Sequence, residues 1–175
     1  MPDFPLDAVH ILTYLAQVAD RLGAEGPEHT VIVVGGSLLA LRDLRDTTMD
    51  IDSVRRLDDE LMAAVASVAT ERGLAPRWLN DHAVMFKPAT LQDSDCRVEL
   101  QRGRLLVLGA PLEQVFLMKL YASRAPDFDD MVTLWPHCNF ASPQAVIDQY
   151  YLAYPHAEED PYLIDHVTAI ATTAR

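Results

Sequence analysis

Two aspartates separated by a single residue, Asp50 and Asp52, are the residues of this chain best suited to bind a divalent cation. The alternating segment 50–54 predicts a short β-strand, on which residues two apart project from the same face. Two carboxylates on one face repel each other unless a cation lies between them. Mg²⁺ prefers such oxygen ligands, together with the phosphates of a substrate. The alternative is an acidic turn or an edge strand with solvated aspartates, and the pattern alone leaves both interpretations open.

The segment Gly35-Gly36-Ser37 precedes the aspartate pair and predicts an anion site. The β-branched run 30–34 predicts a buried strand that ends at the glycines, and Ser37 is predicted to cap a short helix through Leu44. Glycines let a backbone approach a phosphate closely, and the N–H groups of a helix start point towards it. The alternative is a tight strand-to-helix turn with a serine cap. Together with the aspartate pair, the segment predicts a nucleoside triphosphate bound through metal ions.

These two motifs resemble the signature of the DNA-polymerase-β-like nucleotidyltransferase superfamily. The residues that carry the resemblance are Gly35, Gly36, Ser37, Arg45, Thr48, Asp50 and Asp52. Within the superfamily, the likeness is closest to the small bacterial abortive-infection and toxin–antitoxin nucleotidyltransferases. The resemblance implies an enzyme dependent on Mg²⁺, with Mn²⁺ as the alternative cation. It would move a nucleoside monophosphate from an NTP to a hydroxyl on RNA, protein or a small molecule, and a cognate antitoxin is an implied partner.

A lysine on a later apolar helix face, Lys119, is a further candidate. An unpaired buried lysine is costly, so its ammonium must reach solvent or an anion. The resemblance implies that Lys119 contacts the nucleotide phosphates, followed by Arg124, with Asp127 and Asp130 supporting the site. A second interpretation stays open, in which Asp127 caps a helix and Asp130 completes a capping box.

Many members of the superfamily have a third metal-binding carboxylate on a later strand. The candidates here are Asp93, Asp95 and Glu99. Alternation in 97–100 could place Glu99 beside the pair across the sheet, so we expect it as the third metal ligand, although a solvent-facing position is the alternative. Without a third acid, metal binding would depend mainly on nucleotide. A catalytically degenerate binding or regulatory protein is therefore the alternative function.

The strands and helices predicted along the chain indicate an α+β fold. We expect a nucleotidyltransferase-like mixed β-sheet with flanking helices, followed by a C-terminal helical part. We expect one domain over 1–175, with an α/β core over 1–110 and a helical part over 111–175. The other predicted strands are 82–87, 96–101 and 104–108, the last two joined as a hairpin at Arg102-Gly103. The other predicted helices are 6–22, 58–72, 111–124, 128–135, 143–153 and 161–172.

Composition narrows the class of partner. The formal net charge of −12 disfavours non-specific binding to DNA. No apolar run reaches the roughly 20 residues of a membrane helix, and the N-terminal residues lack the pattern of a signal peptide. The two cysteines show neither metal-binding nor disulfide spacing. We therefore expect a cytoplasmic protein with no membrane partner.

Overall fold

The computed structural model describes residues 4–174, which form two compact units. The first unit comprises residues 4–85 and 93–110 and contains the whole β-sheet. The second comprises residues 86–92 and 111–174 and is helical. The predicted α+β class, with a mixed sheet and flanking helices, is confirmed.

Five strands form one mixed sheet in the order β3-β2-β1-β5-β4. They are β1 (His29–Val34), β2 (Ile51–Ser53), β3 (Leu79–Asn80), β4 (Arg97–Arg102) and β5 (Leu105–Gly109). Strand β1 pairs in parallel with β5 and antiparallel with β2, while β3 runs parallel to β2 and β4 antiparallel to β5. Residues 31–34 are fully buried, as expected for a β-branched run in the middle of a covered sheet.

The first unit contains three α-helices, α1 (Ala8–Arg21), α2 (Gly35–Leu41) and α3 (Asp59–Arg72). Of these, α1 and α3 begin at a carboxylate cap. The Asp7 carboxylate accepts a hydrogen bond from the backbone N–H of His10 at 2.8 Å, and Asp58 caps α3 in the same way. Helix α3 ends at Gly73, whose φ of 66° is left-handed. Carboxylate caps and a left-handed glycine are the usual means of starting and ending a helix.

The second unit contains the four helices predicted after Pro111. They are α4 (Leu112–Ala122), α5 (Asp127–Leu134), α6 (Pro143–Ala153) and α7 (Leu163–Thr173). Tyr121 and Tyr154 stack with ring centroids 4.0 Å apart, and the Tyr154 hydroxyl donates to the carbonyl of Phe86 at 2.7 Å. The stacked rings pack the end of α4 against the end of α6. Within the described part of the chain, every helix is too short or too polar to cross a bilayer.

Two segments of the first unit differ from their predictions. The segment 82–87 was expected to be a strand, but His82–Phe86 is a 3₁₀ helix. Strand β3 was not expected, because two residues are too few to show a periodicity. It forms where the Ile51 N–H donates to the carbonyl of Trp78 at 2.6 Å, which brings the chain after Trp78 alongside β2. The predicted hairpin is present and turns at Gly103, whose φ is 52°.

A polar cluster of buried His29 and Arg104 with the exposed carboxylates of Asp58 and Glu60 holds the start of β1. The His29 ring, 3% exposed, lies with Nδ1 2.6 Å from Asp58 Oδ2 and Nε2 3.0 Å from Glu60 Oε2. Arg104 is also buried and donates hydrogen bonds to the Glu60 carboxylate and to the carbonyl of Pro27. The hydrogen bond from Arg104, opposed by desolvation and aided by His29, holds the pKa of Glu60 below its ordinary value of 4.5.

This cluster predicts a loss of stability in acid that depends on Glu60. Because its folded pKa is depressed, Glu60 stabilises the fold above its unfolded pKa, and this contribution disappears as the pH falls through the lower folded value. We expect Glu60→Gln to make the free energy of unfolding less dependent on pH below about pH 5, as measured by urea denaturation. Glu25→Gln, at an exposed loop position, should keep the wild-type profile. If the stability of Glu60→Gln depended on pH as that of the wild type does, the interaction between Glu60 and Arg104 would contribute nothing to acid sensitivity.

Candidate active site

The sheet brings Asp52 to the glycine segment. Asp52 on β2 is in register with Val34, the last residue of β1, which the glycines follow directly. A Cβ added to Gly35 would lie 3.2 Å from Asp52 Oδ2. The carboxylate therefore lies against the backbone at the start of α2, as the two sequence motifs require for a shared site.

Two further predicted residues lie over Gly36. A Cβ at this position would stand 2.8 Å from Arg45 Nη1 and 3.0 Å from Thr48 Oγ1. Gly36 therefore gives Arg45 and Thr48 close access to the α2 backbone. The backbone of Thr48 is fixed by paired hydrogen bonds with Leu6, at 2.7 and 2.9 Å. Arg45, Thr48 and Asp52 thus converge on two adjacent glycines, where the first N–H groups of a helix lack partners within that helix.

The Ser37 side chain has a different role from the predicted one. Helix α2 begins at Gly35 after Val34, so Ser37 lies inside its first turn and is not the N-cap. Its hydroxyl is 1% exposed and donates to the carbonyl of Val34 at 2.9 Å. The bond fastens the helix start to the end of β1. Ser37 supports the shape of the turn, and its one donor is already used.

Glu99, the expected third metal ligand, does not join the aspartate pair. It lies on β4, and the sheet order places β1 and β5 between that strand and β2. Three strand spacings amount to about 14 Å. Its carboxylate is buried and lies 2.6 Å from Arg42 Nη2, because a buried acid needs a cationic partner. Alternation of residues 97–100 predicts the correct strand but not its place in the sheet.

The other two acidic candidates also remain apart from the pair. Asp93 and Asp95 lie in a 3₁₀ helix, and Asp93 Oδ2 is 2.6 Å from Arg55 Nη1. In residues 4–174, no group of three or more His, Cys, Asp or Glu side chains is arranged to hold a metal ion. A cation at this site would have Asp50 and Asp52 as its carboxylate ligands. That set suits Mg²⁺, which uses one or two carboxylates together with phosphates and water.

Asn80 is a residue of the site that the sequence motifs did not identify. It is in register with Asp52 across β2 and β3, and its Nδ2 lies 3.5 Å from Asp50 Oδ2. Only the short apolar pair Trp78-Leu79 before it, following a predicted helix, indicates a strand ending here. The sequence motifs consist of carboxylates, so they do not indicate an amide at this position.

Lys119 forms ion pairs within the helical unit. Its ammonium lies 3.0 Å from Asp127 Oδ1 and 2.7 Å from Asp130 Oδ2, and its side chain is 7% exposed. The exposed Arg124 also binds Asp127, with Nε 3.1 Å from Oδ2. Asp127 is the first residue of α5 after Pro126, and no side chain caps this helix, so the predicted capping box is absent. The expected anion partner of Lys119 is thus supplied by the chain itself.

Comparison with known proteins gives one match. A family model described as "Nucleotidyltransferase of unknown function (DUF6036)" matches residues 10–160. The matched segment includes the glycine turn, the aspartate pair and Lys119. No curated protein and no solved structure matches the chain significantly.

Proposed function

Because the chain belongs to this family of nucleotidyltransferases of unknown function, which spans residues 10–160, we propose that it transfers a nucleoside monophosphate from an NTP to a hydroxyl acceptor. One observation carries the proposal: the Asp52 carboxylate lies against Gly35, where the strand β1 gives way to helix α2. A carboxylate and free backbone N–H groups at one point suit a bound metal and a phosphate together.

Each residue of the site has a proposed role. Asp50 and Asp52 would hold Mg²⁺, with Mn²⁺ as the alternative, and the bound ion would neutralise charge on the phosphates. The backbone N–H groups of Gly35 and Gly36 would bind phosphate oxygens. The Arg45 guanidinium, which lies beside Gly36, would add a charge-assisted hydrogen bond.

The proposed reaction exchanges a phosphoanhydride bond of the NTP for a phosphate ester bond to the acceptor. The acceptor oxygen forms a bond to the α-phosphorus of the NTP, and the bond from that phosphorus to the oxygen bridging the β-phosphate breaks. Pyrophosphate leaves, and the acceptor hydroxyl loses its proton. The site contributes by positioning the triphosphate and offsetting its charge, which are the main demands of phosphoryl chemistry.

Lys119, Arg124 and Asp130 have a weaker claim to this machinery. The resemblance implies that Lys119 binds phosphate, yet its ammonium already has two carboxylate partners. We therefore propose that these residues support nucleotide transfer by holding helices α4 and α5 together. Their direct contact with nucleotide remains a prediction.

The acceptor is proposed to be a protein or small molecule rather than an RNA end. Three aspartates, Asp7, Asp43 and Asp46, line a cleft that Arg45 also lines. Together with the net charge of −12, this lining opposes a polyanionic acceptor. Membership of the toxin-type subgroup and a cognate antitoxin are further proposals that rest on the sequence resemblance.

A second candidate function is a binding or regulatory protein that retains the fold without turnover. Two observations favour it: no third acid joins the aspartate pair among the described residues, and the Ser37 hydroxyl is bound to Val34. Calorimetric titration with each NTP in Mg²⁺, and again with a chelator, tests both candidates. The enzyme requires Mg²⁺-dependent NTP binding and transfer of label from an α-labelled NTP. Failure of every NTP to bind would favour the second candidate.

The contact between Gly35 and Asp52 predicts a selective effect of Gly35→Ala. Both Gly35 and Gly73 have left-handed φ angles, of 63° and 66°, but a Cβ at Gly73 meets nothing within 4 Å. Each alanine variant is expected to lose about 1–2 kcal/mol of stability through backbone strain. Only Gly35→Ala should also weaken Mg²⁺–NTP binding, by about tenfold or more, because its methyl group displaces the Asp52 carboxylate. Calorimetry showing equal NTP affinities for the two variants would contradict this role of Gly35.

A further inference from the structure

We infer, building on the proposed function, that Asn80 is a positioning residue that limits the cation site to two carboxylates. Its amide lies beside Asp50, at the position that a third acidic ligand of the metal ion would otherwise occupy. The wild-type protein should therefore bind a divalent cation weakly alone and firmly only with a nucleotide, whose phosphates supply the missing oxygen ligands.

The first support is the position of Asn80 in the sheet. Asn80 and Asp52 are register partners on the parallel strands β3 and β2. Register partners on neighbouring strands project from the same face of a sheet, about 5 Å apart. Asn80 is 4% exposed, so its amide is confined beside the carboxylates and does not extend into solvent.

The second support is the orientation of its amide, which the surrounding atoms fix. The backbone N–H of His82 donates to Asn80 Oδ1 at 3.0 Å. The opposite side of the amide faces three acceptors: Asp50 Oδ2 at 3.5 Å, and the carbonyl oxygens of Ile51 and Arg77, each at 3.4 Å. Only an N–H₂ group satisfies that side, because it donates and a carboxylate oxygen does not.

An aspartate at position 80 would replace the N–H₂ donor with a carboxylate oxygen. It would place an oxygen where Nδ2 now lies, 3.5 Å from Asp50 Oδ2. Two carboxylate oxygens this close repel without a cation. With a cation they can share it, since metal–oxygen distances of about 2.1 Å span such a gap. Asn80→Asp is therefore an isosteric probe that exchanges a donor for a metal ligand.

The experiment measures Mn²⁺ binding without nucleotide, from the electron paramagnetic resonance signal of free Mn²⁺. We expect Asn80→Asp to bind Mn²⁺ at least about tenfold more tightly than the wild type. Gln101→Glu adds the same charge on strand β4, at the other edge of the sheet, and should change the affinity less than about twofold. Circular dichroism with and without Mn²⁺ reports whether each variant is folded.

Two results would overturn the inference. The first is a folded Asn80→Asp variant with wild-type Mn²⁺ affinity, and the second is a variant that stays unfolded even with Mn²⁺ present, because the cation should relieve the repulsion. An Asn80→Asp variant that folds only with Mn²⁺ supports the inference. The measurement uses neither NTP nor acceptor, so its outcome is separate from any failure of nucleotidyl transfer.

Discussion

Replacing Asp52 with asparagine is expected to lower the rate of nucleotidyl transfer by at least about a thousandfold, equivalent to about 4 kcal/mol of transition-state stabilisation. The substitution keeps the shape of the side chain and removes its charge. Asp52 is the carboxylate that lies against Gly35, so its loss removes the cation ligand nearest the proposed phosphate position. The measurement is transfer of label from an α-labelled NTP, together with thermal unfolding to verify the fold.

A matched control is available in the same unit of the protein. Asp59→Asn removes one charge from an exposed position in the first turn of α3, outside the site. It should leave transfer within about twofold of the wild type, with a stability change of at most about 1 kcal/mol from the helix dipole. Transfer by Asp52→Asn at the rate of Asp59→Asn would remove Asp52 from the machinery.

Lys119→Met should lower the stability of the protein by about 3–5 kcal/mol. The lysine side chain is 7% exposed and its ammonium lies between Asp127 and Asp130. Methionine has a similar length but no charge, so both carboxylates would lose the Lys119 ammonium in a largely buried site, although Asp127 would keep the exposed Arg124 as a partner. Removing one member of a buried ion pair is costly for this reason, even where the intact pair adds little. Urea denaturation of the purified variant measures the change.

Lys87→Met is the control for this prediction, because Lys87 is exposed and lies in the same helical unit. Its free energy of unfolding should stay within about 0.5 kcal/mol of the wild type. Adding Asp127→Asn and Asp130→Asn to Lys119→Met should recover part of the lost stability, since the uncompensated charges are then absent. Equal stability of Lys119→Met and Lys87→Met would mean that the ion pairs do not hold the helices.

The elements with strong local signals could be predicted from the sequence. Helix α3 starts after Asp58 and ends at Gly73, as its capping residues indicate, and the β-branched run before Gly35 became the central strand β1. The proximity of Asp52 to the glycine turn was expected from the superfamily resemblance that the two motifs carry together. The need of a buried lysine for an anion was also predictable, but the expected anion was a nucleotide phosphate, whereas Lys119 lies against Asp127 and Asp130.

The remaining features depend on long-range pairing, which local patterns do not encode. Glu99 was placed on the correct kind of element, but only the strand order shows that β1 and β5 separate it from β2. Strand β3 has two residues and exists because β2 supplies its partner, so Asn80 could not be located beside Asp52 in advance. The role of Ser37 depends on where α2 begins. The sequence predicts a helix that follows a cap at Ser37, whereas α2 begins at Gly35.

We propose that Asp50, Asp52 and the Gly35-Gly36 turn form one site for a metal ion and a polyphosphate. The most direct test of this proposal is a crystal structure with a non-hydrolysable NTP and Mn²⁺, in which anomalous scattering locates the metal. We expect an anomalous peak bound by both aspartates, with phosphate oxygens at the N–H groups of the two glycines. A nucleotide bound elsewhere, or a metal away from both aspartates, would contradict the proposal.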